Sequence, residues 1–557
     1  MLERELASGT STGLLPKINT AQGNIPTAVT ATQNTHLLTI TNAANTGTPR
    51  IASNDMTIAA GACAGGIVGA AEDNSPLLIT NCLNKGRFRN AEHSALKNGV
   101  NLISYLSASG YSDAADTLSA QEGSGFRAHI VGGIVGVNGR THVIDRCENT
   151  GTMNGLTALG GVVGLNKGLV LNCTLAGSMG SATQDCVGGI VSLNVGSDGT
   201  ITYNNTPYAR GTVTACSTKS VTTVTGRRNV GGVAGINLNG GQLSANTCSA
   251  NVTGAMNVGG VIGANAGTLT ITGAVSDASR TVRSTGTAAG GLIGVNMTSG
   301  RLNTQVKGTA IIAADSHLTV RGAEKVGGIV GINRGTLSGT ASALLVSEAR
   351  LVRATGGAAG GAVGAQEGSA SLSYIENRCA SVIADKNTAG GIVAENAAES
   401  TVSQCRTTGG TISGSDGYAS GIAAENRGTI STCTVANTKI SSLGVQESGA
   451  VTAVNHPGAV IENCTPGKGV TLSGEAAVAG ALTGMNYGTV RRTDDAVKNR
   501  TAVISEQPVL SFSSRSLTVG GAVGCNSGGT VQKIAVVTSF KDFTGYKYLG
   551  GVTGENA

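Results

Sequence analysis

The sequence predicts an all-β protein, a right-handed parallel β-solenoid of about 15 coils, each roughly 30 residues long with three short strands. The first observation behind this prediction is a recurring phrase: two glycines, two mostly aliphatic residues, a small residue, any residue and usually asparagine, as in 132–138. The phrase occurs fifteen times, and most copies lie 28 to 33 residues apart. Its second position falls at Gly66, Gly133, Gly161, Gly189, Gly232, Gly260, Gly291, Gly328, Gly361, Gly391, Gly421, Ala450, Ala481, Gly521 and Gly551.

The second observation is that each repeat contains three strand-like runs separated by glycine or asparagine. In the repeat at 420–443 these are Gly421–Ala424, Thr429–Cys433 and a run around Ile440. Runs of four or five residues are too short for helices but suit strands, and glycine and asparagine allow tight corners between them. Each repeat is therefore predicted to form one three-sided coil.

The composition supports this fold and excludes two others. Glycine accounts for 86 of 557 residues but does not recur at every third position, which excludes collagen. Apolar residues make up 40% and charged residues 13%, which excludes a disordered polymer. Few residues are aromatic (3%), as expected for a narrow core of stacked aliphatic side chains. We expect an N-terminal linker or irregular first coil over 1–38 and one continuous solenoid over 39–557, about 70 Å long at ~4.8 Å per coil.

The asparagine that ends the phrase is present in thirteen of the fifteen copies, with Ala71 and Gln366 in the other two. Asparagine tolerates left-handed backbone, and its amide can bond to the equivalent amide one coil away. We predict a buried ladder that includes Asn138, Asn166, Asn194 and Asn237. The alternative is a polar stripe that binds a ligand. The glycines lack the lysine and strand-turn-helix setting of a phosphate loop, so no nucleotide site is predicted.

Most of the twelve cysteines also recur in register, at the end of the second run. They are Cys82, Cys147, Cys173, Cys216, Cys248, Cys405, Cys433 and Cys464. A stack of buried free thiols explains this placement, and we expect Cys147, Cys173, Cys433 and Cys464 to belong to it. Some disulfides, or a metal site, are the alternatives, but the sequence has no CxxC motif or regular histidine partners. We therefore predict neither a metal nor a cofactor.

Three insertions interrupt the repeat, at 90–125, 202–212 and 493–516, and a solenoid places such insertions on its outside. In the first, Leu96, Val100, Ile103 and Leu106 have helical spacing and predict a short helix that packs on the solenoid wall or binds a partner. The third contains adjacent carboxylates, Asp494 and Asp495, which point to opposite faces if they lie in a strand.

The second insertion is the candidate ligand site. Its side chains could contact a sugar or a protein, and an ordinary exposed loop is the alternative. The candidate residues are Tyr203, Asn205, Tyr208 and Arg210.

The sequence offers little support for an enzyme, a nucleic-acid-binding protein or a membrane-spanning protein. Glycoside hydrolysis needs two convergent carboxylates, whereas acidic residues here are sparse. The six histidines do not recur at one position of the repeat. Polysaccharide lyase activity that depends on Asp494 and Asp495 is the enzymatic alternative. The net charge of +6 is dispersed, and no run approaches the ~20 apolar residues of a membrane span.

The chain starts without a secretory signal and stops inside a repeat phrase, so we expect further domains in a longer polypeptide.

The phrase, followed by Gly-x-Ile-x-x-Cys and Gly-x-Val-x-Gly, resembles the GLUG repeat over residues 61–557. GLUG repeats occur in large bacterial surface and secreted proteins and in some immunoglobulin-A-cleaving peptidases. The resemblance implies an extracellular or cell-surface location and a non-enzymatic role as an adhesin or rigid stalk that displays other domains. Its partners would be glycans or proteins of a host or neighbouring cell. The alternative is a substrate-capturing, non-catalytic segment of a large extracellular peptidase or glycan-degrading enzyme.

Overall fold

A computed structural model describes most of the chain as short parallel strands. It covers residues 38–41, 44–45, 63–71, 76–86, 100–154, 158–272, 280–304, 311–444, 447–475, 478–493, 508–512, 517–536 and 547–557. The predicted right-handed parallel β-solenoid is confirmed, and fifteen described strands carry the second half of the repeated phrase. The chain forms two compact units, the first comprising 1–255 and 260–270 and the second 256–259 and 271–557.

All three predicted runs are present in the coils, and two of them are divided by a bend. The phrase bends at its second glycine and the residue after it to give two strands, and the second run bends just before its cysteine. A full coil therefore has five strand positions, which we number from first to fifth sheet. One such coil contains Asp185–Gly188, Val191–Asn194, Thr212–Thr214, Ser217–Thr218 and Thr223–Thr225.

In the first unit the strands of each sheet come from successive coils. The first sheet contains Cys63–Gly65, Ile130–Gly132, Leu159–Gly160, Asp185–Gly188 and Arg228–Gly231. The second contains Val68–Ala71, Val135–Asn138, Val163–Asn166, Val191–Asn194, Ala234–Asn237 and Ile262–Asn265. The third contains Leu38–Thr41, Leu77–Thr80, Val143–Asp145, Leu169–Leu171, Thr212–Thr214, Gln242–Ser244 and Thr268–Ile271. The fourth contains Ala44–Asn45, Leu83–Asn84, Glu148–Asn149, Thr174–Leu175, Ser217–Thr218 and Thr247–Cys248, and the fifth Met179–Gly180, Thr223–Thr225 and Asn251–Gly254.

The second unit has the same five strand positions. The first sheet contains Met256–Gly259, Ala288–Gly290, Lys325–Gly327, Ala359–Gly360, Ala389–Gly390, Ala419–Ser420, Glu447–Gly449, Val478–Gly480, Thr518–Gly520 and Tyr548–Gly550. The second contains Ile293–Asn296, Val330–Asn333, Val363–Gln366, Val393–Asn396, Ala423–Asn426, Thr452–Asn455, Thr483–Asn486, Val523–Asn526 and Thr553–Asn556. The third contains Arg301–Thr304, Thr336–Ser338, Ser371–Ser373, Thr401–Ser403, Thr429–Ser431, Val460–Glu462, Thr489–Arg491 and Thr530–Gln532. The fourth contains Ile311–Ala314, Leu345–Ser347, Ile375–Asn377, Arg406–Thr408, Thr434–Ala436 and Thr465–Pro466. The fifth contains Arg280–Ser284, Leu318–Gly322, Leu351–Ala354, Ser381–Ala384, Thr411–Gly414, Lys439–Ser442, Thr471–Gly474 and Val509–Phe512.

The asparagines of the phrase form a continuous amide chain in the first unit. Asn138 Nδ2 donates to Asn166 Oδ1 over 2.7 Å, and the same bond joins Asn166 to Asn194 at 2.7 Å. Asn194 continues the chain to Asn237 at 2.9 Å, and Asn237 donates to Asn265 at 2.8 Å. All five side chains are buried. Because a buried amide must find partners, the chain of bonds pins the coils in register.

The second unit has its own amide chain, which runs from Asn296 to Asn556. Gln366 occupies one position in it. Its side chain accepts from Asn333 over 3.1 Å and donates to Asn396 over 2.8 Å, so the longer amide leaves the chain unbroken.

The left-handed backbone positions are not those expected from the sequence. The described residues with positive φ do not include the ladder asparagines. They include instead the residue just before the recurring cysteine, such as Arg146 and Thr432, where the second run bends. The asparagines therefore recur for their amide bonds and not for their backbone conformation.

Ala71 explains where the first amide chain begins. Ala71 pairs in register with Asn138 and has no amide to donate, and Asn138 Oδ1 is buried without a hydrogen bond. We expect Ala71→Asn to supply that donor and to raise the free energy of unfolding by about 1 kcal/mol. Chemical denaturation of the full chain measures the change. Ala71→Leu is the matched control, since it adds a similar volume without a donor, and an equal gain from both variants would contradict this account.

The recurring cysteines other than Cys248 are stacked, and they form no disulfide. The backbone N–H of Cys147 donates to Cys173 Sγ over 3.4 Å, and burial raises the pKa of the Cys173 thiol. In the second unit burial likewise raises the pKa of Cys433, which contacts the thiols of Cys405 and Cys464. Thiols held in the neutral form by burial are poor nucleophiles and poor metal ligands. Their placement is that of packing residues.

Cys248 does not belong to this stack, contrary to the sequence-based expectation. It pairs with Thr218, two residues beyond the position of Cys216. Asn246 takes the equivalent place, and its Oδ1 accepts from the Cys216 N–H over 2.9 Å. The expectation failed because the local sequence shifts by two residues relative to the strand register.

Candidate functional site

The first insertion forms a two-helix hairpin and not the single helix expected over Leu96–Leu106. Residues 90–99, including Leu96, lie outside the described residues, and Val100 is in a strand, Val100–Asn101, paired antiparallel with Arg127–Ala128. Helix α1 spans Leu102–Ala108 and helix α2 spans Ser112–Glu122. The Asn101 side chain caps α1 by accepting from Ser104 N.

Helix α2 is fixed to the solenoid wall by polar contacts at its middle and at its C-terminal end. Thr117 Oγ1 in α2 donates to Asn239 Oδ1 over 2.7 Å. At the end of α2, Glu122 pairs with Arg228 at 2.6 Å. Arg228 and Arg227 both bind Asp185, and their bonds hold the pKa of that carboxyl below its usual value against the effect of burial. Burial raises the pKa of Glu122 despite its cationic neighbour.

The residues that face inward within the insertion are apolar and buried. They are Leu102, Leu106, Ala114, Ala115 and Leu118. The insertion thus has a core of its own as well as polar anchors, which favours a packed and ordered element over a loose loop.

The second insertion forms a β-hairpin of Thr200–Tyr203 and Thr206–Ala209. Asn204 and Asn205 make its two-residue turn with φ of 49° and 60°, the conformation that such hairpins need and that asparagine tolerates.

The hairpin tyrosines pack against the solenoid. Tyr203 and Tyr208 lie on a buried cluster that includes Leu169 and Ile201. Tyr203 also donates its hydroxyl to Asp145 Oδ2 over 3.0 Å, and desolvation together with this bond raises its pKa. The structure places the candidate ligand residues in different surroundings: the two half-buried tyrosines pack on the solenoid, and Asn205 is exposed at the turn.

Of the four candidate ligand residues of the second insertion, Arg210 lines a cavity. The cavity lies in the first unit, between the start of α2, the base of the hairpin and two coil corners, and measures about 740 Å³. The corners contribute Ser197 and Asn239, which follow the ladder residues Asn194 and Asn237. The repeated wall thus positions side chains at the mouth of a non-repeated cleft.

Two guanidinium groups line this cleft. Arg140 stacks on the Tyr111 ring, 4.8 Å from its centroid, and donates from Nε to the Tyr111 hydroxyl over 3.0 Å. It also donates from Nη2 to the Ser109 carbonyl. Arg210 donates from Nη1 to the Asp198 carbonyl over 3.1 Å, while its solvent-shielded Nε makes no hydrogen bond. Sequence reasoning missed Arg140, since only its contact with the distant insertion distinguishes it from other surface arginines.

The second unit carries a different polar surface on three successive coils. Arg427, His456 and Tyr487 each follow a ladder asparagine, and their backbone N–H groups bond to the preceding coil. Arg427 and His456 both bind Glu425, at 2.6 and 3.1 Å. The hydrogen bond from His456 lowers the pKa of Glu425, and so do the charge and hydrogen bond of Arg427, although burial acts to raise it. Glu425 is thus the common hydrogen-bond acceptor of Arg427 and His456.

Asp494 and Asp495 lie outside the described residues, as do most of 493–516; Val509–Phe512 forms a regular strand of the fifth sheet. Over the described part of the chain, no group of three or more His, Cys, Asp or Glu side chains is arranged to hold a metal ion. Neither described helix is long and apolar enough to span a membrane.

The fold and the cleft together define the class of protein: a parallel β-solenoid that carries a helical insertion and a β-hairpin on its wall. Comparison with protein-family models, curated proteins and solved structures finds no match to this chain.

Proposed function

We propose that this chain is a non-enzymatic repeat region of a bacterial surface or secreted protein, and that it acts as an adhesin or a stiff display module. The observation that carries the proposal is the open, polar cleft that the helical insertion and the hairpin build on an otherwise repeated wall. Two separate insertions, anchored by bonds such as Thr117–Asn239, are ordered around one cavity. The resemblance to GLUG repeats supports an extracellular or cell-surface location.

The repeated parts of each unit suit a scaffold. Their recurring polar groups are used internally, in amide chains and stacked thiols, and not in a site open to solvent. In a solenoid each coil is stabilised by its neighbours, so the number of coils can vary while the decorated wall is retained. Such an arrangement separates support from recognition.

An array of glycans and extracellular proteins, probed with the full chain, tests the proposal. We expect selective retention of a glycan or protein partner and no product after incubation with the retained partner or with pectin. Release of cleaved product by the purified chain would overturn the non-enzymatic assignment. Failure to retain any partner on arrays of both kinds would overturn the recognition role.

A further inference from the structure

The cleft of the first unit offers two guanidinium groups that are held in place before any ligand arrives. Arg140 is fixed by the Tyr111 ring and by bonds to Tyr111 and Ser109. Arg210 is fixed by its bond to the Asp198 carbonyl. A prepositioned arginine loses little conformational freedom when it binds an anion, which favours affinity.

Arg210 has one guanidinium nitrogen that is closed to the cleft. Its Nε is shielded from solvent and has no hydrogen-bond partner. A carboxylate matches the planar donor set of a guanidinium, and one bound in the cleft would bond to the Arg210 nitrogens that solvent reaches and not to Nε.

The first turn of α2 adds backbone hydrogen-bond donors, which also favour a negatively charged ligand. Ser112, Asp113 and Ala114 line the cleft, and the preceding Tyr111 makes no side-chain capping bond. Backbone N–H groups of a first helical turn lack intrahelical partners and favour a negatively charged group. They supplement the two arginines.

The remaining lining groups specify more than a bare anion. Asp113, Asp198, Asn239 and Gln242 also line the cleft. Carboxylate and amide oxygens accept hydrogen bonds from hydroxyl groups, and the two aspartates repel a doubly charged phosphate monoester more strongly than a singly charged carboxylate. The lining therefore favours a ligand with one negative charge and several hydroxyls.

We propose that this cleft binds an acidic sugar residue of a glycan, a uronic or sialic acid, with its carboxylate at Arg210 and Arg140 and its hydroxyls at Asp198, Asn239 and Gln242. The cavity volume of about 740 Å³ lies in the range of small-molecule sites and accommodates such a residue. The inference rests on the proposed function, since it names the ligand class of that recognition surface.

Saturation-transfer NMR with the full chain tests the inference. The ligands are glucuronate, N-acetylneuraminate and glucose, each at about 10 mM, a concentration at which binding with a dissociation constant of ~1 mM is detected. Glucose is the matched neutral control for glucuronate. We expect saturation transfer to an acidic sugar and at least about tenfold weaker binding of glucose, because a charge-assisted guanidinium–carboxylate contact is lost. Equal binding of glucose, no transfer to either acid, or tighter binding of inorganic phosphate would overturn it.

Two cleft variants and one control variant locate the site. Arg210→Gln should weaken acidic-sugar binding at least about tenfold, whereas Lys219→Gln removes the same charge at an exposed position outside the cleft and should change nothing. Gln242 is an exposed residue of the cleft lining, and Gln242→Ala should weaken binding of the acidic sugar without changing the charge of the protein. This variant keeps the test decisive if Arg210→Gln fails to fold. Equal binding by all three variants would overturn the assignment. If the arrays retain only a neutral glycan or a protein, this inference fails while the recognition role stands.

Discussion

Gly188→Ala is expected to lower the free energy of unfolding by at least about 3 kcal/mol. Gly188 lies at the bend between the first and second sheets, where a Cβ would be 1.8 Å from the Val191 carbonyl oxygen and 2.5 Å from the Gly235 nitrogen. Both atoms belong to the backbone, so the clash cannot be relieved by a rotamer change. The substitution must push apart strands of neighbouring coils and weaken their hydrogen bonds.

Urea denaturation followed by circular dichroism measures this loss, and hydrogen exchange should show reduced protection in Val163–Asn166 and Ala234–Asn237. Gly125→Ala is the matched control. Gly125 is exposed, a Cβ there meets nothing within 4 Å, and its φ is not in the left-handed range. We expect Gly125→Ala to change stability by less than about 1 kcal/mol. If Gly188→Ala proves as stable as the control, the bend does not require glycine.

The second large effect is expected for Asn194→Leu, which retains the number of side-chain heavy atoms but removes every hydrogen bond. Asn194 accepts from Asn166 and donates to Asn237 and to the Gly211 carbonyl. Its loss leaves buried polar groups on three neighbours without this partner. At about 1–3 kcal/mol for each unsatisfied group, we expect the free energy of unfolding to fall by at least about 3 kcal/mol.

Asn194→Gln separates the loss of hydrogen bonds from a change of size. Gln366 occupies the equivalent position in the second unit and maintains both amide contacts. We therefore expect Asn194→Gln to cost at most about 1 kcal/mol in the same denaturation experiment. Equal losses for the Leu and Gln variants would show that packing, and not amide bonding, makes this position important.

Much of the fold could be predicted because the repeat applies the same constraints many times. Asn138 and Asn166 are 28 residues apart in sequence and pair directly, as do the strands that contain them. The bends that divide two runs were missed, because glycine and the residue before the cysteine mark a corner without giving its angle. Cys248 shows the limit of counting residues, since a two-residue shift in its coil moved it out of the thiol stack.

The candidate site could be predicted only in part. Arg210, Tyr203 and Tyr208 were identified from the composition of their insertion, but that composition did not show that the two tyrosines pack on the solenoid. An aromatic residue in an inserted loop can face either solvent or the wall, and the local sequence does not distinguish these outcomes. Arg140 carried no sequence signal because its role depends on Tyr111, which the helical insertion brings to it.

The sequence by itself determined the solenoid, its register and the residues that run in line from coil to coil, since an interaction repeated every thirty or so residues leaves a periodic trace. Tertiary structure alone decided how the helical insertion and the hairpin lie on the wall and that Arg140 and Arg210 share a cleft. Those contacts each occur once and join residues far apart in the chain. Their energies depend on the positions that the folded coils impose, and no local pattern records them.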